Sequence, residues 1–198
     1  MDGMFMGQNE LDKNDIGDLG VATVYKELLK MGYNPIVINE SFTIYKYMEK
    51  DVSRDKFFGL DMTVKIGSRD IGIQVKTKQP RGCGNDTGLE AYQLGRLYRR
   101  DKESESPYVI LLFVERKKLD DDKLSMDNVT TIYGGWIRDL VKIMWENKLK
   151  HEGTKLKKPN KNLPCGAWNG RDKRWMVYWR KKDLQPFDRL ITMIDEFE

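Results

Sequence analysis

One histidine, two cysteines and no long apolar run stand in the 198 residues of this chain. A lone His151 excludes every scheme that needs a pair, HExxH zinc sites included. No GxSxG elbow offers it a serine to serve. Set between Lys150 and Glu152, it reads as an exposed side chain. Cys83 and Cys165 lie far apart with no CxxC pair, so neither a disulfide framework nor a structural zinc cluster is expected. A reducing cytoplasm fits that usage, whether the protein's own or a host cell's in the case of a viral protein. Nothing approaches the ~20 apolar residues of a membrane span. Met1 to Asp15 is polar and acidic, without the apolar stretch of a signal peptide, and reads as a loose tail.

What is present is a chain able to bury a core, 39% hydrophobic, with 33% charged residues and a net charge of only +4. The charge is uneven. Residues 148–182 hold twelve Lys/Arg against Glu152 and Asp172, a local +10 that leaves −6 for the rest. Such a block fits a polyanionic partner.

The periodicity predicts one mixed α/β domain over 1–198, with a tail at 1–15, a core at 16–115 and an extension at 116–198. Asn14 and Asp15 offer N-cap chemistry to a first helix marked by apolar or small residues at Leu19, Ala22, Tyr25, Leu28 and Leu29, stopped at Gly32. A short strand at Ile36 to Ile38 precedes a polar insertion at 39–56. Phe57 to Ile66 and Ile71 to Thr77 read as a hairpin about Gly67 to Asp70. Lys78 to Gly88 reads as a loop, and Leu89 to Arg100 as a helix with Leu89, Tyr92, Leu94, Leu97 and Tyr98 marking its face. Pro107 to Val114 is a continuous apolar run, expected as a central strand buried on both faces. A charged loop at Glu115 to Asn128 leads to an amphipathic helix at 134–150, with Trp136 and Trp145 inward. Lys155 to Gly170 reads as an irregular basic segment, Arg174 to Arg180 as a strand and Leu184 to Phe197 as a last helix.

The hairpin carries the chemistry. Alternation sets Gln74, Lys76 and Lys78 on one face of its second strand and Ile73, Val75 and Thr77 on the other. Asp61, on the neighbouring strand, is within reach of that polar face. A carboxylate with an amide oxygen and the Val75 carbonyl are hard donors suited to Mg²⁺, with Mn²⁺ as substitute. A lysine beside them can hold or help deprotonate a water for attack on phosphorus. Against this stands a bland account, an edge strand with Gln and Lys on a solvated face.

Gly17-Asp18-Leu19-Gly20, Glu27-Leu28-Leu29, Gly32-Tyr33, Gly59-Leu60-Asp61 and Ile73-Gln74-Val75-Lys76-Thr77 together resemble the PD-(D/E)XK nuclease superfamily, in its branch with Gln for the second acid. The resemblance covers about residues 16–115. It implies a restriction-endonuclease-like core in the order α-β-β-β-α-β, with a C-terminal α/β extension, and a metal-dependent DNA phosphodiesterase. By motif, Asp61 matches the metal-binding aspartate, Gln74 the second ligand position and Lys76 the lysine. Gly59-Leu60-Asp61 stands for Pro-Asp. Val21 occupies the place of a helix glutamate, for which Asp18, three residues earlier, is the substitute.

DNA is the expected partner, no membrane is, and a homodimer is left open. Lys78 and Arg81 are expected at phosphates beside the scissile one. Lys155, Lys157, Lys158, Lys161, Arg171 and Lys173 are expected to form the docking surface. Trp168, Trp175, Tyr178 and Trp179 nearby read mainly as core. Gly82-Cys83-Gly84 to Gly88 departs from a dinucleotide fingerprint in spacing, and Asp120-Asp121-Asp122 reads as a solvated loop. Two rival classes stay open: a nucleic-acid-binding module on a degenerate nuclease core, and a structural or interaction domain.

Overall fold

A computed structural model describes residues 13–38, 59–78, 86–103, 108–116, 129–152, 167–169 and 174–196. Four helices are described: α1 (Lys13–Lys30), α2 (Ala91–Glu103), α3 (Ile137–Glu152) and α4 (Phe187–Glu196). The strands are β1 (Ile36–Val37), β2 (Met62–Ile66), β3 (Arg69–Lys78), β4 (Asp86–Glu90), β5 (Tyr108–Arg116), β6 (Val129–Trp136), β7 (Ala167–Asn169), β8 (Arg174–Arg180) and β9 (Gln185–Pro186).

The central sheet runs β1-β2-β3-β5-β6-β9, and a smaller one runs β4-β8-β7. Among the described strands only β3 and β5 pair in parallel; the other pairs in both sheets are antiparallel. The result is the expected mixed sheet flanked by helices, in the order α-β-β-β-α-β with β4 set aside into the smaller sheet. Both β6 and β9 belong to the central sheet, so the C-terminal extension adds strands to the same sheet.

That core has two halves. Apolar residues of α1 and α4 pack on Met62, Val64, Ile71, Ile73, Val75 and Ile110 on one face of the sheet. On the other face, α2, α3 and the smaller sheet cover Val109, Leu111 and Phe113. Strand β5 is buried on both sides, as its unbroken apolar run foretold. Trp179 joins the layers, fully buried, 6.3 Å from Phe113 and donating its indole N–H to the Leu140 carbonyl at 3.0 Å. Helix α1 lies close because Gly20 faces β3: a Cβ there would meet Thr77 Oγ1 at 1.9 Å. It ends where Tyr33 N–H reaches the Leu28 carbonyl and Gly32 N–H the Leu29 carbonyl, both at 3.0 Å.

Several expectations are corrected. The packed face of α1 is Gly20, Val24 and Leu28, an i, i+4 row, while Ala22 and Leu29 are exposed. Residues 86–88 are strand rather than loop, and Leu89 belongs to that strand. Its partner β8 lies so far along the chain, with Thr87 bonded to Trp179 across 92 residues, that no local pattern announces it. Residues 134–136 extend β6 rather than open a helix, because Trp136 sits in core at a strand-to-helix junction where both periods agree. Trp145, expected inward, is 49% exposed, and Tyr92, one of the residues that marked the second helix, is 72% exposed. The last helix starts at Phe187, after Gln185 and Pro186 pair with β6. The insertion at 39–56 lies outside the described residues, and so do Arg81, Lys155, Lys157, Lys158, Lys161, Arg171 and the acidic run at 120–122. Lys173 lies outside them as well.

Candidate active site

Strand β3 lies between β2 and β5 as far as Ile73, and beyond it pairs with β5 alone among the described residues; the account of a solvated edge fails at Gln74 because that side chain is buried. In the parallel register Gln74 stands beside Leu111, Lys76 beside Phe113 and Lys78 beside Glu115. Laterally paired residues share a face, so Gln74 and Lys76 point to the side covered by α2, α3 and the smaller sheet. Gln74 is 8% exposed. A buried primary amide needs partners, and it has them.

Those partners arise from how β2 ends. Its register with β3 runs from Ile66 opposite Arg69 to Met62 opposite Ile73. Continued, it would set Leu60 opposite Val75, but Gly59 at φ 100° turns the chain away. That conformation is open to glycine and strained for other residues. Leu60 instead packs over Gly72. Asp61 keeps a backbone bond to the Ile73 carbonyl at 2.8 Å, and its own carbonyl accepts from Ile38 N–H at 2.8 Å. The Val75 N–H, left without a carbonyl across from it, donates to Asp61 Oδ2 at 2.6 Å. Gln74 Nε2 donates to the same oxygen at 2.5 Å and to the Val75 carbonyl at 3.1 Å.

Asp61, Gln74 and Val75 are therefore brought together, with the amide nitrogen rather than the amide oxygen of Gln74 facing Asp61. Lys76 follows on the same face, half-buried, and among the described residues it makes no hydrogen bond or ion pair. Asp18 is not brought to this cluster by its packing: it is exposed on α1, whose buried face carries Gly20. Among the described residues no group of three or more His, Cys, Asp and Glu side chains converges. A cation here would rely on one carboxylate with amide and backbone oxygens. The donor set fits a hard ion, because Asp61 Oδ2 and the Val75 carbonyl already converge on one positively polarised group, the Gln74 NH₂.

Sequence reasoning missed the polar row one step further along β3. Glu115 Oε2 accepts from Lys181 Nζ at 2.6 Å and Thr131 Oγ1 at 3.0 Å, and Lys78 stands across from Glu115 in register. Burial opposes ionisation of Glu115, but the bonds from Lys181 and Thr131 and the charges of Lys181 and Lys78 outweigh it, holding the carboxyl below its ordinary value. Lys181 Nζ also lies 4.8 Å from the centre of the Tyr133 ring. Burial, then the Glu115 charge, push the Tyr133 hydroxyl up. The signal for this row was the charge pair at Glu115 and Arg116 closing an apolar strand, read instead as the start of a loop. Within the basic segment, Arg180 and Lys181 are paired, with Asp183 and Glu115 respectively.

No protein-family model matches the sequence, and no curated protein does. The structure is similar to that of a Holliday junction resolvase from the archaeal hyperthermophile Archaeoglobus fulgidus, at a TM-score of 0.48 and 9% identity over 89% of this chain and 95% of that one. No helix among the described residues is long and apolar enough to cross a membrane.

Proposed function

We propose that the chain is a metal-dependent endonuclease that hydrolyses DNA phosphodiester bonds at the Asp61–Gln74–Lys76 cluster. The observation that carries this reading is the meeting of Asp61, the Gln74 amide and the Val75 carbonyl within 3.1 Å, beside a half-buried lysine that has no partner among the described residues. Burying such groups costs stability unless they are bonded. Asp61 and the Val75 carbonyl would hold Mg²⁺ or Mn²⁺, joined by the Gln74 side-chain oxygen once its amide turns over to replace the bonds its nitrogen now makes. The ion would supply Lewis-acid stabilisation of the charge that develops on phosphorus oxygens. Lys76 orients the attacking water and takes part in its deprotonation. Lys78, Arg81 and the basic residues Lys155, Lys157, Lys158, Lys161, Arg171 and Lys173 would hold the phosphate backbone.

A second reading is a DNA-binding protein without cleavage. What favours it is that Asp61 Oδ2 is already engaged by Val75 N–H and the Gln74 amide. Incubating the full chain with plasmid and single-stranded DNA, in Mg²⁺, in Mn²⁺ and in EDTA, separates the two. Cleavage that needs metal and falls about 100-fold or more in Lys76→Ala supports the nuclease. Salt-sensitive binding with no cleavage in either metal supports the second reading, and neither binding nor cleavage overturns both.

A further inference from the structure

The polar face of β3 opens as it runs from Gln74, which is buried, to Lys76 and Lys78, which are half-buried. In register Lys78 stands beside Glu115 of β5, and Glu115 beside Thr131 of β6, which is exposed. Lys78 is two residues past Lys76, about 6.6 Å along the strand, a step comparable with that between neighbouring phosphates of one nucleic-acid strand. Glu115 is what fixes this end of the row. Its Oε2 accepts from Lys181 Nζ at 2.6 Å and from Thr131 Oγ1 at 3.0 Å. Lys181 comes from the turn after β8, and its ammonium is itself steadied 4.8 Å from the centre of the buried Tyr133 ring. The carboxylate is thus set in place by two other elements. Burial opposes its ionisation, and the bonds from Lys181 and Thr131, with the charges of Lys181 and Lys78, outweigh that. Lys78 lies between two opposed influences, a carboxylate that draws it in and an ammonium that pushes it away. A lysine stem is long and rotates freely, so such a pair of charges narrows where its head can stand.

We infer that Glu115 is a positioning residue of the nuclease: clamped by Lys181 and Thr131, it holds the Lys78 ammonium at the phosphate next to the one that is cleaved. The inference rests on the nuclease reading. It goes beyond that reading by giving work to an ion pair outside the Asp61–Gln74–Lys76 cluster and by linking the smaller sheet, through Lys181, to substrate alignment. Neither stability nor affinity accounts for a carboxylate at this place. A partly exposed ion pair contributes little to stability. A negative charge beside a polyanion weakens its binding. Holding a lysine head ready is what the arrangement does achieve, because a phosphate then meets a cation already in place.

The test is single-turnover cleavage by the full chain of whichever plasmid or single-stranded DNA wild type cuts, with affinity measured separately in EDTA and stability by urea melts. Charge alone predicts that Glu115→Gln binds DNA more tightly and cuts as fast. A purely structural pair predicts a lower urea midpoint, with rate and affinity unchanged below it. Positioning predicts that the rate at saturating DNA falls about tenfold while affinity in EDTA is unchanged or higher. Lys78→Ala, which leaves Asp61, Gln74 and Lys76 in place, should slow cleavage by a similar factor. Adding Glu115→Gln to it should slow cleavage no further, because the carboxylate acts through that lysine. Three results overturn the inference and leave the nuclease reading standing: an undiminished rate in Glu115→Gln, an undiminished rate in Lys78→Ala, or a loss on Glu115→Gln that repeats in the Lys78→Ala background. Failure of wild type to cleave in Mg²⁺ or Mn²⁺ overturns both.

Discussion

Strands β3 and β5 lie side by side, parallel and in register, yet they answer to different demands. Through Tyr108 to Val114, β5 presents apolar or aromatic side chains to both faces, and its role ends with burial. In its first half β3 is apolar on one face, with Ile71 and Ile73 fully buried, while Gly72 on the other face is covered by Leu60. From Gln74 onward its second face turns polar while its neighbour stays apolar: Gln74 beside Leu111, Lys76 beside Phe113. Sheet stability does not call for that change, since β5 shows what the environment prefers. The polar row begins where β2 leaves the ladder, so the departure of one strand and the chemistry of the next are one feature.

The sharpest way to break the comparison is to treat the row of Lys76 and Phe113 as a pair. Phe113→Ala removes a ring stacked 6.2 Å from Tyr133 and tilted against Trp179 at 6.3 Å. It should destabilise the fold by about 3–5 kcal/mol, read as a shift in urea midpoint. A loss below ~1 kcal/mol would mean that the two sheets do not share one core.

Next in size is Asp61→Ala. It leaves the Val75 N–H and the buried Gln74 amide short of an acceptor, at a cost of about 1–3 kcal/mol. Asp61→Asn retains an oxygen for Val75 and should recover most of that stability while DNA cleavage stays lost. Equal destabilisation by the two variants would show that charge, rather than the acceptor, holds the strand end.

Glu115 gives a smaller and pH-dependent effect. Its folded carboxyl sits below the ordinary glutamate value, so it contributes stability at neutral pH. That contribution fades as pH falls through the ordinary glutamate range towards the lowered value. Wild type should exceed Glu115→Gln by ~0.5 kcal/mol at pH 7, and urea melts at descending pH should bring the two together. A gap that widens in acid contradicts the assigned direction. The smallest effect completes the first pair: Lys76→Ala should change stability by no more than about 0.5 kcal/mol, because its ammonium holds nothing among the described residues.

Much of this was legible in the residues. Apolar run, hairpin and Gly32 stop gave β5, the β2–β3 pair and the end of α1, because each is encoded by neighbours in sequence. The face shared by Gln74 and Lys76 followed from alternation alone. Strand β4 was missed because its partner is distant and β9 because two residues show no period, while in β6 the Thr130-Thr131 and Gly134-Gly135 pairs interrupt the apolar alternation. Tyr92 and Trp145 fit a helical stripe that the fold does not bury, since spacing tells which residues share a face and not which face meets the core. That the Gln74 amide would turn its nitrogen to Asp61 depended on the Val75 carbonyl beside it, a contact no spacing specifies.

The turn at Gly59 has one more consequence. Because Val75 N–H is bound to a side-chain oxygen and not to a main-chain carbonyl, its hydrogen exchange is tied to what else that oxygen is doing. The neighbouring ladder amides of β3 are held by main chain and should be indifferent to it. In a nitrogen–proton correlation spectrum the Val75 cross-peak should therefore move and exchange differently when Mg²⁺ is added, while those of Ile71 and Ile73 stay in place. One amide would report occupancy of the cluster in a protein that is doing no chemistry at all.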